Sequence, residues 1–285
     1  MDCGGFFSNR FINPAGKLIA NTGLKAANIM GYAVMNVGTG EFSLGTNFLR
    51  EKSADLNFPL VASNLSYAEG VSPFTKKYVM EQAGSLKVAI LGVMSPGILD
   101  KMPSSGTFGV VEVIPPGEAL KSLLPEIRKE VDIVILLSQL GLTETKRLAG
   151  ALEGIDLAIY GGNDNAPAAE EIKPESSSGE SETPVFKANA RGSHLGYIRL
   201  SVDDAGRVGV DNGRMISLND AVAMDDNVLE ITGDDIFKRV AEERKRVTKE
   251  KQRKMEREIK ELQKLSPTEY IEKLLKEQPK GGTNQ

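Results

Sequence analysis

Two hydropathic rhythms alternate along the first 160 residues of this chain. Residues 87–94 (Lys-Val-Ala-Ile-Leu-Gly-Val-Met) and 132–138 are unbroken apolar runs, the composition of strands buried on both faces. Residues 117–129 instead place Ala119, Leu120, Leu123, Leu124 and Ile127 on one side of a helix, and 144–152 is helical too. Shorter strands are predicted at the end of 29–37, at 58–64 and at 155–160. This alternation predicts an α/β architecture that meets its ligands at the carboxyl ends of the strands.

The texture then changes twice. Residues 166–184 are rich in Pro, Ser and Glu around Ser176-Ser177-Ser178-Gly179, which predicts a flexible, exposed loop with little apolar surface to order it. Strands follow at 184–189, 195–203 and 207–210, separated by a loop-like 190–194 and an Asp204-Ala205-Gly206 turn. Residues 1–218 therefore read as one domain, and 219–285 as a linker and a charged helical tail. From about Asp234 to Gln278 the tail is dominated by Lys, Arg, Glu and Gln with opposite charges as neighbours. Ser266-Pro267-Thr268-Glu269 has the pattern of a helix start. The apolar spacing of the tail is too irregular for a coiled coil. The expectation is a helix docked on the domain, or on a protein partner through residues 234–278.

Composition narrows the choices. The chain has 285 residues, 40% hydrophobic and 26% charged, enough for one large domain with an appendage. A net charge of -4 argues against a nucleic-acid partner, which usually meets a strong basic excess. No apolar run approaches the roughly 18 residues that span a bilayer, and residues 1–7 lack the layout of a secretory signal. Cys3 is the single cysteine, so no internal disulfide forms; it reads as a small buried thiol rather than a redox centre. His194 is the single histidine, which excludes any site built from several imidazoles of this chain. It reads as a packing residue at a loop end.

Four polar segments sit at strand ends or Gly-rich turns. They are Asp2-Cys3-Gly4-Gly5-Phe6-Phe7, Asn36-Val37-Gly38-Thr39-Gly40-Glu41-Phe42, Leu137-Ser138-Gln139-Leu140-Gly141 and Tyr160-Gly161-Gly162-Asn163-Asp164-Asn165. Their placement is that of a two-metal phosphoesterase site, but their chemistry is not. Hydrolytic metals are held by carboxylates and imidazoles, whereas these segments offer Gly, Thr, Gln and Asn.

Taken in order, with Phe58-Pro59-Leu60-Val61-Ala62-Ser63-Asn64-Leu65 between them, these segments resemble the calcineurin-like metallophosphoesterases and, within them, the bacterial 5'-nucleotidase group. The resemblance runs from residue 2 to about residue 203. It implies an α-β-β-α sandwich, a periplasmic location, and a hydrolase of nucleotide catabolism using two divalent metals. It places the metal-bridging Asp on Gly5, the Asn ligand on Thr39 and the catalytic His on Gly40, with the next Glu kept as Glu41. The remaining His ligands fall on Gln139, Asn163 and Asn165. Without a bridging anion two metals repel each other, and neutral amides are weaker ligands than imidazole.

The expected reading is a non-catalytic ligand-binding or interaction protein that has lost its two-metal centre and needs no cofactor. The alternative is a phosphoester hydrolase with an altered centre, for which Glu41 and Asp164 are the candidate oxygen ligands. Asn163-Asp164-Asn165 also has the plain reading of a polar turn. A shallow polar cleft bounded by Gln139, Asn163 and Asn165, able to accept a small polar molecule, is expected.

The opening Asp-x-His segment of the family, and the strand that carries it, find no counterpart here. The fold is therefore expected to miss its first strand, with Met1 an internal methionine and any export signal upstream. Some relatives of this kind resemble selenoproteins, whose in-frame UGA is misread as a stop. Translating the DNA upstream of Met1 through any UGA is expected to reveal an apolar strand with a polar tip within about 30 to 60 residues, the size of one βα unit; a reading frame without it would refute the truncation.

Overall fold

The computed structural model of the chain describes residues 1–7, 14–101, 111–161, 183–188 and 192–263. In chain order it begins with α1 (Pro14–Ile29), β1 (Met35–Asn36), α2 (Thr39–Phe42), α3 (Thr46–Ser53), β2 (Leu60–Val61) and β3 (Leu65–Tyr67). Next come β4 (Tyr78–Ala83), β5 (Leu86–Met94), β6 (Val111–Val113), α4 (Pro116–Ile127), β7 (Ile133–Gln139), α5 (Leu142–Ala151) and β8 (Leu157–Tyr160). The last described elements are β9 (Val185–Lys187), β10 (His194–Val202), β11 (Val208–Ser217), α6 (Asp226–Thr232) and α7 (Asp234–Leu262).

The two unbroken apolar runs pair in parallel at the heart of a five-stranded sheet of order β4-β5-β7-β8-β9. Strands β5, β7, β8 and β9 are parallel, and β4 closes one edge antiparallel. One face of β5 and β7 (Ala89, Leu91, Val93, Val134, Leu136) packs on Leu120, Leu124 and Ile127 of α4 and Leu148 and Ala149 of α5. The other face (Val88, Ile90, Ile133, Ile135, Leu137) meets Val34, Val61 and the alternate residues Ile198, Leu200, Val202, Val208 and Val210 of the β10–β11 hairpin. Met35, Leu60 and Ala62, one position along from Val34 and Val61, turn the opposite way and pack with Ala20, Leu24 and Ala27 of α1. A side-chain period of two explains this split. The layers are thus α4 and α5, the main sheet, the small sheets β1–β2 and β10–β11, and α1 with α6 and α7 against it. This is the α-β-β-α arrangement with a C-terminal helix.

Three features depart from the sequence reading. Strand β11 runs to Ser217 rather than ending near residue 210; Asp211-Asn212-Gly213-Arg214 interrupt its apolar alternation, and their cross-strand backbone pairing leaves no hydropathic mark. The stretch from 219 expected as a linker contains helix α6, whose N-cap Asp225 accepts the amides of Asn227 and Val228. His194 opens β10 instead of ending the loop before it. Most of the expected flexible loop (166–182) and the tail beyond residue 263, including the helix start at 266–269, lie outside the described residues. Among the described residues no helix is long and apolar enough to cross a membrane.

Leu136 is fully buried in β7 between α4 and α5. Leu136→Ala is expected to cost about 2–5 kcal/mol of folding free energy, from lost burial plus the cavity left behind, read from the shift in a urea denaturation midpoint at unchanged slope.

Candidate functional site

The parallel register brings Met94, Gln139 and Tyr160, the last residues of β5, β7 and β8, to one end of the sheet. Asn36, at the end of β1, ties this end together. Its side chain is fully buried, and its Nδ2 donates to the carbonyls of Cys3 (3.1 Å), Val93 (3.2 Å) and Leu137 (3.2 Å). Its Oδ1 has no hydrogen-bond partner among the described residues. Gly92 gives it room, because a Cβ there would collide with that oxygen. Asn64 repeats the device one strand over, pairing with both the amide and the carbonyl of Met94 and with the carbonyl of Ile114.

Segment 2–7 crosses this end. The amide of Asn36 donates to the carbonyl of Asp2 at 2.9 Å, and Asp2 Oδ1 accepts the amide of Gly4, a local turn of the kind Asp favours. Gly4 and Gly5 follow with φ of 86° and 76°, a left-handed conformation that non-Gly residues rarely adopt. The turn delivers the chain onto α2, where Glu41 holds it. Oε2 of Glu41 accepts the amides of Gly5 (2.9 Å) and Gly38 (2.7 Å), and Oε1 accepts that of Phe7 (3.3 Å). The Gly38 bond is the helix-side half of a capping arrangement. Loop and helix approach so closely that a Cβ on Gly40 would collide with the carbonyl oxygen of Phe7.

Gln139 fills the middle. Its Nε2 donates to the carbonyl of Gly4 at 2.6 Å. A Cβ on Gly38 would meet its Cγ and Oε1 at 3.0 Å, and one on Gly161 would lie 2.6 Å from Nε2. A Cβ on Gly5 would touch the same amide at 3.5 Å, so any longer side chain there would have to displace Gln139. Gly5, Gly38, Gly40, Glu41, Gln139 and Gly161 therefore converge, and the glycines make the convergence sterically feasible. Thr39, the first residue of α2, is half-buried beside them. Asn163, Asp164 and Asn165 lie outside the described residues, as does the far wall of the expected cleft.

The electrostatics disfavour ionic chemistry. Burial pushes the carboxyl of Glu41 up, opposed by the amide of Gly5 and reinforced by the charge of Asp2. Burial likewise raises Asp2, against the amide of Gly4. The thiol of Cys3 is driven upward by burial and then by Asp2, and it contacts the carbonyl of Ile159; it stays protonated and unreactive. Two divalent cations need several anionic or imidazole donors. Among the described residues no grouping of three His, Cys, Asp or Glu side chains could hold a metal, and the carboxylate oxygens of Glu41 are taken by backbone amides. These residues do not fit a metal pair. His194 sits apart at the start of β10, its Nδ1 3.0 Å from the hydroxyl of Ser193.

Sequence reasoning passed over the role of Asn36. The available signal was a lone amide inside an apolar strand, preceding a Gly-rich turn.

No protein-family model matches the chain. It is 27% identical over 222 residues to the 5'-nucleotidase of Bos taurus, covering 70% of this chain and 38% of that protein. Among solved structures it is similar to the calcineurin-like phosphoesterase YfkN from Bacillus subtilis, with a TM-score of 0.60, 21% identity, and coverage of 80% of this chain and 81% of that one. It is also similar to a 5'-nucleotidase precursor from Thermus thermophilus, with a TM-score of 0.63, 20% identity, and coverage of 75% and 45%. Fold and layer order thus define a calcineurin-like phosphoesterase fold. Within that class the chain is a homologue of the 5'-nucleotidases, and it spans less than two-fifths of the length of this curated relative.

Glu41→Gln tests the clasp. An amide offers one acceptor in place of two and turns its NH₂ toward a backbone donor, so the variant is expected to lose about 1–3 kcal/mol of stability at neutral pH. The raised carboxyl also sets a pH signature. The folded chain holds this proton more tightly than the unfolded chain, so this contribution makes stability fall as pH climbs from the ordinary glutamate value to the raised one, then level off. Denaturation midpoints measured across pH are expected to fall more steeply in the native chain than in Glu41→Gln, which keeps only the like-signed contribution of Asp2.

Proposed function

We propose that this 5'-nucleotidase-like chain has lost two-metal phosphoester hydrolysis and acts by binding rather than by turnover. The observation that carries this reading is the amide of Gln139 packed among Gly4, Gly5, Gly38 and Gly161, where the family resemblance would set metal ligands. Gly5 supplies no bridging anion. Gly40 leaves no space for an imidazole while Phe7 keeps its course, and Thr39 offers a neutral hydroxyl. Glu41, kept by the same correspondence, has its carboxylate engaged by three backbone amides. Asn163 and Asn165 would add only neutral amides, and Asp164 a single carboxylate. A set of neutral donors and acceptors suits a small polar, uncharged or weakly charged molecule.

Purified protein incubated with Mn²⁺ or Zn²⁺ and then desalted is expected to retain well under one equivalent of metal and to release no phosphate from AMP. Retention of about two equivalents, the complement of a two-metal centre, with AMP hydrolysis that chelation abolishes, would overturn the proposal and favour the altered hydrolase.

A further inference from the structure

Helix α7 leaves the body of the protein part-way along its length. Val240 is buried where the helix packs on α1, whereas residues 248–261 are exposed throughout. At about 1.5 Å per residue, the stretch 248–262 extends roughly 20 Å beyond that contact. Residues 244–254 of this helix carry seven Lys or Arg against one Glu, a net charge of +6 in a chain whose total is -4. Arg246 pairs with Glu243 and Glu250, and Lys254 lies 3.8 Å from Glu258. Arg244, Lys249, Lys251 and Arg253 have no carboxylate partner among the described residues.

One edge of the helix combines these charges with apolar surface. Steps of three and four residues align Phe237, Ala241, Arg244, Thr248, Lys251, Met255, Ile259 and Leu262. Phe237 is 70% exposed, Met255 63% and Ile259 44%. Val240, three residues after Phe237 and four before Arg244, borders this edge, while Phe237 and Arg244 themselves are exposed.

We propose that α7 lays this edge on an anionic lipid surface. Phe237, Met255 and Ile259 would enter the headgroup boundary, while Arg244 and Lys251 extend apolar stems along it and place their cations among lipid phosphates. Other occupants satisfy only half of the edge. A second copy laid alongside in parallel would set Arg244 and Lys251 against like charges, since residues 244–254 hold a single acidic residue. A nucleic acid would take the cations and leave Met255 and Ile259 in water. Lipid takes both, and each Lys or Arg near an anionic leaflet adds to the attraction within a Debye length of about 8–10 Å.

The full chain should be sedimented with vesicles of phosphatidylcholine, alone or with about one-third phosphatidylglycerol. Binding is expected to be at least about tenfold tighter to the anionic vesicles, and to fall by a similar factor when salt is raised from about 0.05 to 0.5 M. Met255→Glu with Ile259→Glu, and separately Arg244→Glu with Lys251→Glu, change exposed positions; circular dichroism is expected to show the helix retained while vesicle binding is lost. Equal binding to neutral and anionic vesicles, or unchanged binding by either double variant, would overturn the proposal. So would an absence of vesicle binding accompanied by self-association in ultracentrifugation, capture of a protein partner, or binding to an RNA homopolymer.

Discussion

One buried amide sets the course of the chain at the functional end of this fold. Asn36 reaches the carbonyls of Cys3, Val93 and Leu137, and so locks the crossing segment 2–7 to β5 and β7 at the place where the parallel strands end. Buried carbonyl oxygens need a hydrogen-bond partner and carry a second lone pair beyond any ladder bond. A side-chain NH₂ shared among three of them answers that need, provided a neighbour gives way. Gly92 does so in the middle of a strand that is otherwise solid with side chains.

With segment 2–7 fixed, the rest of the site follows from close packing. The left-handed pair Gly4 and Gly5 turns the chain onto α2, Glu41 clasps it through three amides, and Gly40 has to be bare because the backbone of Phe7 passes over it. Gln139 then enters the space that remains. The result, among the described residues, is a strand-tip region held by neutral hydrogen bonds and by the carboxylates of Asp2 and Glu41 on backbone amides. In a metallophosphoesterase framework the same convergence of loops serves to gather charge; here the loops gather on one another. Scaffold stability resides in the sheets and helices, so residues at the strand tips are free to vary without loss of the fold.

The C-terminal helices show a different economy. α6 and the first turns of α7 lie against α1, where Val240 is buried, whereas the remainder of α7 has little besides its own hydrogen bonds and opposite-charge pairs. Such pairs are each worth only a few tenths of a kcal/mol, so the distal helix contributes little to the core and its side chains remain available to other surfaces.

The sequence by itself determined the parallel sheet and its covering helices. Residues 87–94 and 132–138 are too apolar to sit anywhere but between two layers, and the 3.6-residue spacing of Leu120, Leu124 and Ile127 has one partner face. Ordered Gly-rich segments also marked which strand ends would meet. What the sequence left open depended on backbone pairing and on through-space fit. The polar stretch 211–214 of β11 pairs by main-chain bonds that have no hydropathy. α6 is short and buries no residue, so it leaves little periodic signal. Glu41 could be read as a free cation ligand until its three amide partners, one 36 residues away in sequence, were in place. The packing of Gln139 on Gly4, Gly38 and Gly161 was equally hidden, because only the tertiary structure brings those three glycines within reach of the same side chain.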